Sequence, residues 1–161
     1  MRAVPLRCRT PPGKEALEKY KNIQLMDPAY IAGEGHITSA ILQAEKAFLR
    51  KENISTSPLI EVLVRASLKR QIKNAFELFE PKGSNEVLAI SKKYPERFIK
   101  EYGCTEDESI LGIDKKRYEK IKGIFKIGEK EIMAVSGREF EDRAKTLQRI
   151  ITERIALLNK I

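Results

Sequence analysis

The stretch from His36 to Phe79, HITSAILQAEKAFLRKENISTSPLIEVLVRASLKRQIKNAFELF, consists of two apolar runs joined by a short polar turn. In the first run, apolar residues recur at steps of three and four, the spacing of one helix face. These residues are Ile37, Ala40, Ile41, Ala44 and Phe48. Ser57 is a good N-cap and Pro58 fits the first helical position, so a second helix should begin there. The stretch therefore predicts a helical pair around which the rest of the chain is arranged.

The second run has a basic side as well as an apolar side. On one continuous helix Arg65, Lys69 and Lys73 would stack four residues apart. Arg70 would lie beside them, and no acidic residue lies among these positions. Two interpretations stay open, a solvated helix face and a phosphate-binding edge.

The charge and length of the chain restrict the classes of protein to which it can belong. The chain has 161 residues, which predicts a single domain spanning 1–161. It has 31 Lys and Arg against 23 Asp and Glu, a net charge of +8, which is compatible with a polyanionic partner or with solubility alone. No apolar run approaches the length of a membrane span, and the N-terminus lacks the apolar segment of a secretory signal. We expect no membrane partner and a cytoplasmic protein.

Few residues could carry chemistry. The chain has one histidine and two isolated cysteines, Cys8 and Cys104, so a Cys/His zinc site is not expected. The cysteines suit a reducing compartment as free thiols, with a single disulfide as the alternative. Phosphate-binding loops, nucleophile elbows and paired catalytic carboxylates are not recognisable in the sequence. We therefore expect a protein that is not an enzyme, with no cofactor, no metal and no small-molecule substrate.

The remaining segments predict an α/β fold of the α+β type, with a helix-rich core and a small mixed or antiparallel sheet. Strands are expected at residues 1–9, with Pro5 restricting the first to a sheet edge, and at 23–26 and 86–90. A hairpin is expected at 124–135, around Gly128-Glu129. Further helical segments are expected at 15–21, 28–32, 95–102 and 115–122, and the last helix should begin after Ser136-Gly137.

The last helix carries a narrow apolar seam of the coiled-coil type. Its members are Phe140, Ala144, Leu147, Ile151, Ile155 and Leu158. Ile150 and Leu157 lie off the seam, so the last two turns are apolar on more than one side. Burial in the core would explain both sides. Alternatively, one side packs inward and the other docks a partner protein.

Several segments together resemble one known family. They are IQLMDPAYIAGEGHITSAILQAEKAF (23–48), NIS (53–55), Glu61, SLKRQI (67–72), GSNEVLAI (83–90), DESILGI (107–113) and ERIALLNK (153–160). This order is similar to that in the small kinase-binding subunit of the KEOPS complex, the family of the PRPK-binding protein and its archaeal relatives. The resemblance covers residue 23 to the end. It implies a small residue or glycine at the position where Leu68 stands.

The resemblance implies a function as well. Members of this family bind the kinase-like ATPase subunit of KEOPS and recruit tRNA through its single-stranded 3′ CCA end. The complex then adds a threonylcarbamoyl group to the adenosine next to the anticodon. The chain would accordingly be a non-catalytic subunit. A general RNA-binding module and a purely protein–protein adaptor are the alternatives.

Candidate site residues follow from the basic face and from the resemblance. The expected nucleic-acid contacts are Arg65, Ser67, Lys69, Arg70, Gln71, Lys73, His36 and Lys51. Ser67 enters as an N-cap if the helix breaks there, because the free N–H groups of the next turn would bind an anion. Gln71 could bond a base edge, whereas His36 and Lys51 rest on the resemblance alone. A lone histidine is also common as a capping or packing residue. The expected kinase contacts are Ile150, Ile151, Ile155, Leu157 and Leu158.

Overall fold

A four-stranded antiparallel sheet forms the middle of the molecule. In the computed structural model, which describes residues 1–160, its strands are β1 (Arg2–Cys8), β2 (Ile23–Met26), β3 (Glu86–Ser91) and β4 (Cys104–Glu106). Their order is β2-β3-β1-β4. The α+β fold predicted from the sequence is confirmed, and the sheet is the antiparallel one of the two alternatives.

Eight α-helices surround this sheet within the described residues. They are α1 (Lys14–Lys19), α2 (Glu34–Arg50), α3 (Pro58–Ser67), α4 (Ile72–Phe79), α5 (Glu96–Tyr102), α6 (Lys115–Phe125), α7 (Glu129–Met133) and α8 (Phe140–Leu157). Short 3-10 turns occupy Pro28–Tyr30, Glu108–Leu111 and Leu158–Lys160. The predicted cap is confirmed, because the Ser57 side chain accepts from the Ile60 N–H and Pro58 opens α3.

Pro5 lies in an inner strand, so its expected place at a sheet edge is wrong. β1 pairs with β3 on one side and with the three-residue β4 on the other. The Pro5 carbonyl accepts from the Asp107 N–H, which lies just past the end of β4. The N and C=O of one strand residue point to the same side, so the missing N–H of Pro5 falls beyond the end of the β4 ladder. The proline therefore interrupts no strand pairing.

Both faces of the sheet are buried. The larger core lies between the sheet and α2, α3, α6 and α8, and it includes Met26, Leu88 and Ile90. A smaller core lies under α1 and α5 and includes Leu6, Val87 and Phe98. A strand buried on both faces is apolar at successive positions, which is the pattern of Val87–Ile90 in β3.

The predicted hairpin at 124–135 is wrong. Ile124 continues α6, Gly128 precedes α7, and the apolar residues Ile127 and Ile132 reach the larger core. The two apolar runs are too short for their periodicity to distinguish strand from helix. Packing of this segment against α8 determines the outcome.

A disulfide joins Cys8 to Cys104. The expectation of two free thiols is therefore wrong, and the alternative of a single disulfide holds. The two cysteines are direct partners in the β1–β4 register, although 96 residues separate them in the sequence. Only the register brings them together, and the spacing along the chain carries no sign of it.

Candidate nucleic-acid interface

The helical pair does not continue as one helix through the basic segment. α3 ends at Ser67, and Leu68 takes the left-handed conformation with φ of 56°. The resemblance implies glycine or a small residue at this position, and glycine is the residue that adopts this conformation most readily. Because the chain turns here, Arg65, Lys69 and Lys73 do not stack on one helix face.

Ser67 closes α3 rather than opening α4, so its expected role as an N-cap is wrong. Its hydroxyl donates to the Val64 carbonyl at 2.9 Å and accepts from the Lys69 N–H at 3.1 Å. The residue before α4 is Gln71, which is exposed and makes no side-chain cap. The free N–H groups at the start of α4 therefore follow Gln71. They do not follow Ser67, where the sequence predicted them.

Arg65 is buried and paired, so it does not belong to an uncompensated basic face. Its Nη2 lies 2.7 Å from Glu61 Oε1. The other Glu61 oxygen accepts from the N–H groups of Ile54 and Ser55. This carboxylate therefore connects α3 to the turn before it, and four positions along a helix place its partner within reach. Lys73 also has an acidic neighbour, Glu77, at 3.9 Å on the exposed face of α4.

His36 is fully buried and is not among the residues at the protein surface. Its Nδ1 accepts from the Ala32 N–H at 2.9 Å, so Nε2 carries the proton and donates to the Ala66 carbonyl at 2.9 Å. The ring also packs edge-to-face on Phe125. Burial lowers the pKa of His36 to about 4, opposed by the bond to Ala66, so the ring is neutral at pH 7. The packing alternative for this histidine is the one that the contacts support.

The first of two adjacent grooves lies between the C-terminal ends of α2 and α8. Its volume is about 430 Å³. Cationic side chains from α2, α3 and the following turn line it together with the end of α8. The lining cations are Lys46, Arg50, Arg65 and Arg70. Lys51, the left-handed residue after α2, is exposed and follows Arg50 in the chain, but it does not line the groove.

The second groove has a volume of about 450 Å³ and lies between the turn after α3 and the end of α6. Its cations are Lys69, Arg70, Lys126 and Arg154, and its apolar wall includes Leu68, Ile124 and Phe125. Arg70 lines both grooves, and its Nη2 donates to the Leu158 carbonyl at 3.0 Å. A cationic surface with apolar walls suits a nucleic-acid strand whose bases leave solvent.

Three helices end at these grooves. The three non-glycine residues with left-handed φ among residues 1–160 are Lys51, Leu68 and Lys126, which terminate α2, α3 and α6. A helix C-terminus carries partial negative charge and exposed carbonyls, so cations are favoured there even without a ligand. Arg154, for example, donates to the Phe125 carbonyl at 2.7 Å and pairs with Glu131. Part of the positive charge is thus used within the protein.

The sequence interpretation missed several members of this surface. Lys46 and Arg50 come from α2, and Lys126 and Arg154 from α6 and α8. A left-handed residue directly after a helix is commonly glycine, so Lys126 gave no signal of its position. Of the residues expected to bind nucleic acid, Arg65, Ser67, Lys69 and Arg70 do line the grooves. His36, Lys51, Gln71 and Lys73 do not line either one.

Four of the five residues expected at a kinase contact belong to the protein's own core. These are Ile150, Ile151, Ile155 and Leu158. Ile150, Ile151 and Ile155 belong to the larger core, where α8 packs against α2 and α6, and Leu158 is buried in the turn that follows, so the expectation of a free apolar side there is corrected. Leu157 is the exception, with 46% of its surface exposed. Core burial therefore accounts for four of the five residues, and docking of a partner stays a prediction that only Leu157 among them leaves open.

The described part of the chain holds neither a membrane-spanning helix nor a metal-binding cluster. None of its helices combines the length and the apolar character needed to cross a membrane. Within residues 1–160, His, Cys, Asp and Glu side chains do not gather in threes at any place that could hold a metal ion.

Comparison with known proteins finds one family. The model of the family described as "Kinase binding protein CGI-121" matches residues 13–159. The "Regulatory protein Cgi121" of Methanocaldococcus jannaschii is 34% identical to the chain over 105 residues, which is 65% of this chain and 70% of that protein.

Proposed function

Because the chain belongs to the CGI-121 family of kinase-binding proteins, we propose that it binds the kinase-like ATPase of a KEOPS-type complex as a non-catalytic subunit. In this role it recruits tRNA through the 3′ CCA end for threonylcarbamoyl modification of the adenosine next to the anticodon. The family description supports the kinase contact. The pair of cationic grooves that share Arg70 supports the contact with RNA.

The kinase contact requires apolar side chains that are free to leave water. Leu157 on α8 is one of them, and α2, which packs against α8, exposes Leu42 and Leu49. Burial of one such side chain contributes roughly 1.5–3 kcal/mol before the costs of association. We assign these three exposed leucines to the kinase contact.

A charge at Leu157 tests this assignment. Leu157→Glu should weaken the kinase complex by tenfold or more, since about 1.4 kcal/mol corresponds to a factor of ten. Met133→Glu is a matched control, because Met133 on α7 is also an exposed large apolar residue. Titration of both variants with the kinase, alongside circular dichroism of the free proteins, gives the answer. Equal binding by the two variants would contradict a contact at Leu157.

The RNA contact follows from what a single-stranded end needs. Its phosphates need positive charge, and its bases need surfaces on which they can stack. Lys69 and Lys126 provide charge at the second groove, the Arg70 guanidinium provides a planar cation between the grooves, and Leu68 and Ile124 provide half-buried apolar surface. Each groove, at about 430 or 450 Å³, falls within the size range of small ligand sites.

The decisive experiment is a titration with tRNA and with the same tRNA lacking its three terminal nucleotides. Stacking of a single-stranded base contributes about 1–3 kcal/mol, so trimming should weaken binding by tens-fold or more. Lys69→Glu should weaken binding of the intact tRNA. Lys130→Glu, the same change at an exposed residue of α7 outside both grooves, should have a smaller effect. Equal affinity for both RNAs would favour a general RNA-binding module, and absence of binding at low salt would favour a protein–protein adaptor.

A further inference from the structure

One lysine-rich face outside the two grooves remains unexplained by the proposed function. On α6, Lys116 and Lys120 are exposed and four residues apart, so they lie on one helix face about 6 Å apart along its axis. Ile124, four residues further, lies on the same face and lines the second groove. This face therefore leads directly into the groove where Lys69 and Arg70 lie.

The two lysines border a third cleft, with a volume of about 700 Å³, at the start of α6. The acids that line this cleft are already engaged within the protein. Asp27 and Asp114 accept backbone N–H groups as helix caps, and Glu86 pairs with Arg7 at 2.7 Å. In the described part of the chain, Lys116 and Lys120 have no ion-pair partner within 4.0 Å.

Arg117 adds a further positive charge beneath this face. Its guanidinium donates to three backbone carbonyls, those of Pro28, Ile110 and Gly112, and to no carboxylate among residues 1–160. The nearby carboxylates of Glu86, Asp27 and Asp114 offset this charge, so the positive charge that the face presents to solvent is that of Lys116 and Lys120.

The side chains on this face determine which part of an RNA it fits. The face offers lysines and no aromatic surface, because Tyr118, the aromatic residue at this end of α6, is buried. Single-stranded bases need stacking partners, whereas a double-stranded RNA is contacted mainly through its phosphates and 2′-hydroxyls. A tRNA 3′ end continues directly into a duplex, the acceptor stem. The geometry points to the α6 face, through Lys116 and Lys120, as the surface that contacts the phosphate backbone of that duplex.

This inference rests on the proposed function, so the experiment separates the two. The parent protein and the double variant Lys116→Ala, Lys120→Ala are titrated with intact tRNA between 50 and 200 mM salt. Loss of two phosphate contacts should lower the log–log salt slope by roughly two units. Over this fourfold range the parent should then lose about tenfold more affinity than the variant. The matched control is Lys92→Ala, Lys93→Ala, which removes the same charge from exposed residues at the far end of β3.

A short single-stranded RNA ending in CCA completes the experiment. It has no duplex, so the parent and the α6 double variant should bind it equally. An unchanged salt slope for the α6 variant on intact tRNA would overturn the duplex contact. An equal fall in the Lys92/Lys93 control would overturn it as well, because it would reduce the effect to net charge. If the parent binds intact and trimmed tRNA with equal affinity, the proposed function itself fails. That result comes from the titration with trimmed tRNA and does not depend on the α6 variant.

Discussion

Mild acidification, from pH 7.5 to 5, should destabilise this protein through the side chain of His36, and the carboxylates add their own loss at lower pH. The ring is held neutral by burial and by two hydrogen bonds that fix its tautomer. Protonation of Nδ1 would place a second N–H against the Ala32 N–H, with no water to compensate. It would also disturb the bond to Ala66, which holds the end of α3 beside Phe125 of α6. His36 thus connects the two helices whose ends form the second groove.

The size of the effect follows from the difference in pKa between folded and unfolded states. The folded-state pKa is about 4, below the ordinary value of 6.5. Below pH 6.5 the unfolded chain therefore binds a proton that the folded protein does not, and stability falls as the pH is lowered. The loss proceeds at about 1.4 kcal/mol per pH unit and reaches roughly 2 kcal/mol between pH 7.5 and pH 5. It is complete, at about 3 kcal/mol, only below pH 4.

Urea unfolding at a series of pH values measures this loss. The matched variant is His36→Gln, whose amide can accept from Ala32 and donate to Ala66 but does not titrate. Carboxylates contribute equally to both proteins, and the chain has no other histidine. The difference between the two curves should therefore change by roughly 2 kcal/mol between pH 7.5 and 5. A difference that stays constant over this range would show that His36 is not kept neutral by its surroundings.

Three further predictions concern stability and are checked by chemical denaturation. Replacement of Cys8 and Cys104 by serine should cost up to about 4–5 kcal/mol at a separation of 96 residues, and the parent protein in reductant should match the variant. Lys51→Gly should stabilise the protein by about 1 kcal/mol, since φ of 58° is a left-handed conformation that glycine adopts without strain; a loss of stability would contradict this. Glu61→Ala should cost about 3–5 kcal/mol because it leaves a buried arginine unpaired, whereas Glu77→Ala, which removes the partner in an exposed pair, should cost less than about 1 kcal/mol.

Features determined by a few neighbouring residues could be predicted from the sequence. Ser57-Pro58 begins α3 as expected, and the helices expected at 95–102 and 115–122 are bounded by Gly103, with φ of 57°, and by the cap Asp114. Capping depends on one side chain and the backbone within one turn, so the sequence contains all the information needed. The strands at 23–26 and 86–90 were equally recognisable, because apolar runs of that length between turns are typical of strands.

Features that depend on distant parts of the chain could not be predicted in this way. The disulfide needs the β1–β4 register, and the inner position of Pro5 needs the end of β4. Arg65 was interpreted as exposed because its charge suggested a surface, yet Glu61 and the turn before α3 enclose it. The helix breaks at Leu68 because this residue takes a left-handed conformation, and a leucine in the sequence does not indicate that conformation. In each case tertiary packing outweighs the local pattern.

The way the two grooves are built has a consequence for synthesis of the protein. Their walls come from the ends of α2, α3, α6 and α8, which lie far apart along the chain. Domains generally fold as units, and of these four helices α8 is the last to be synthesised. A nascent or truncated chain therefore has no complete surface with which to capture a nucleic acid. Under the proposed function, RNA binding at the grooves therefore requires that all four helix ends are already in place.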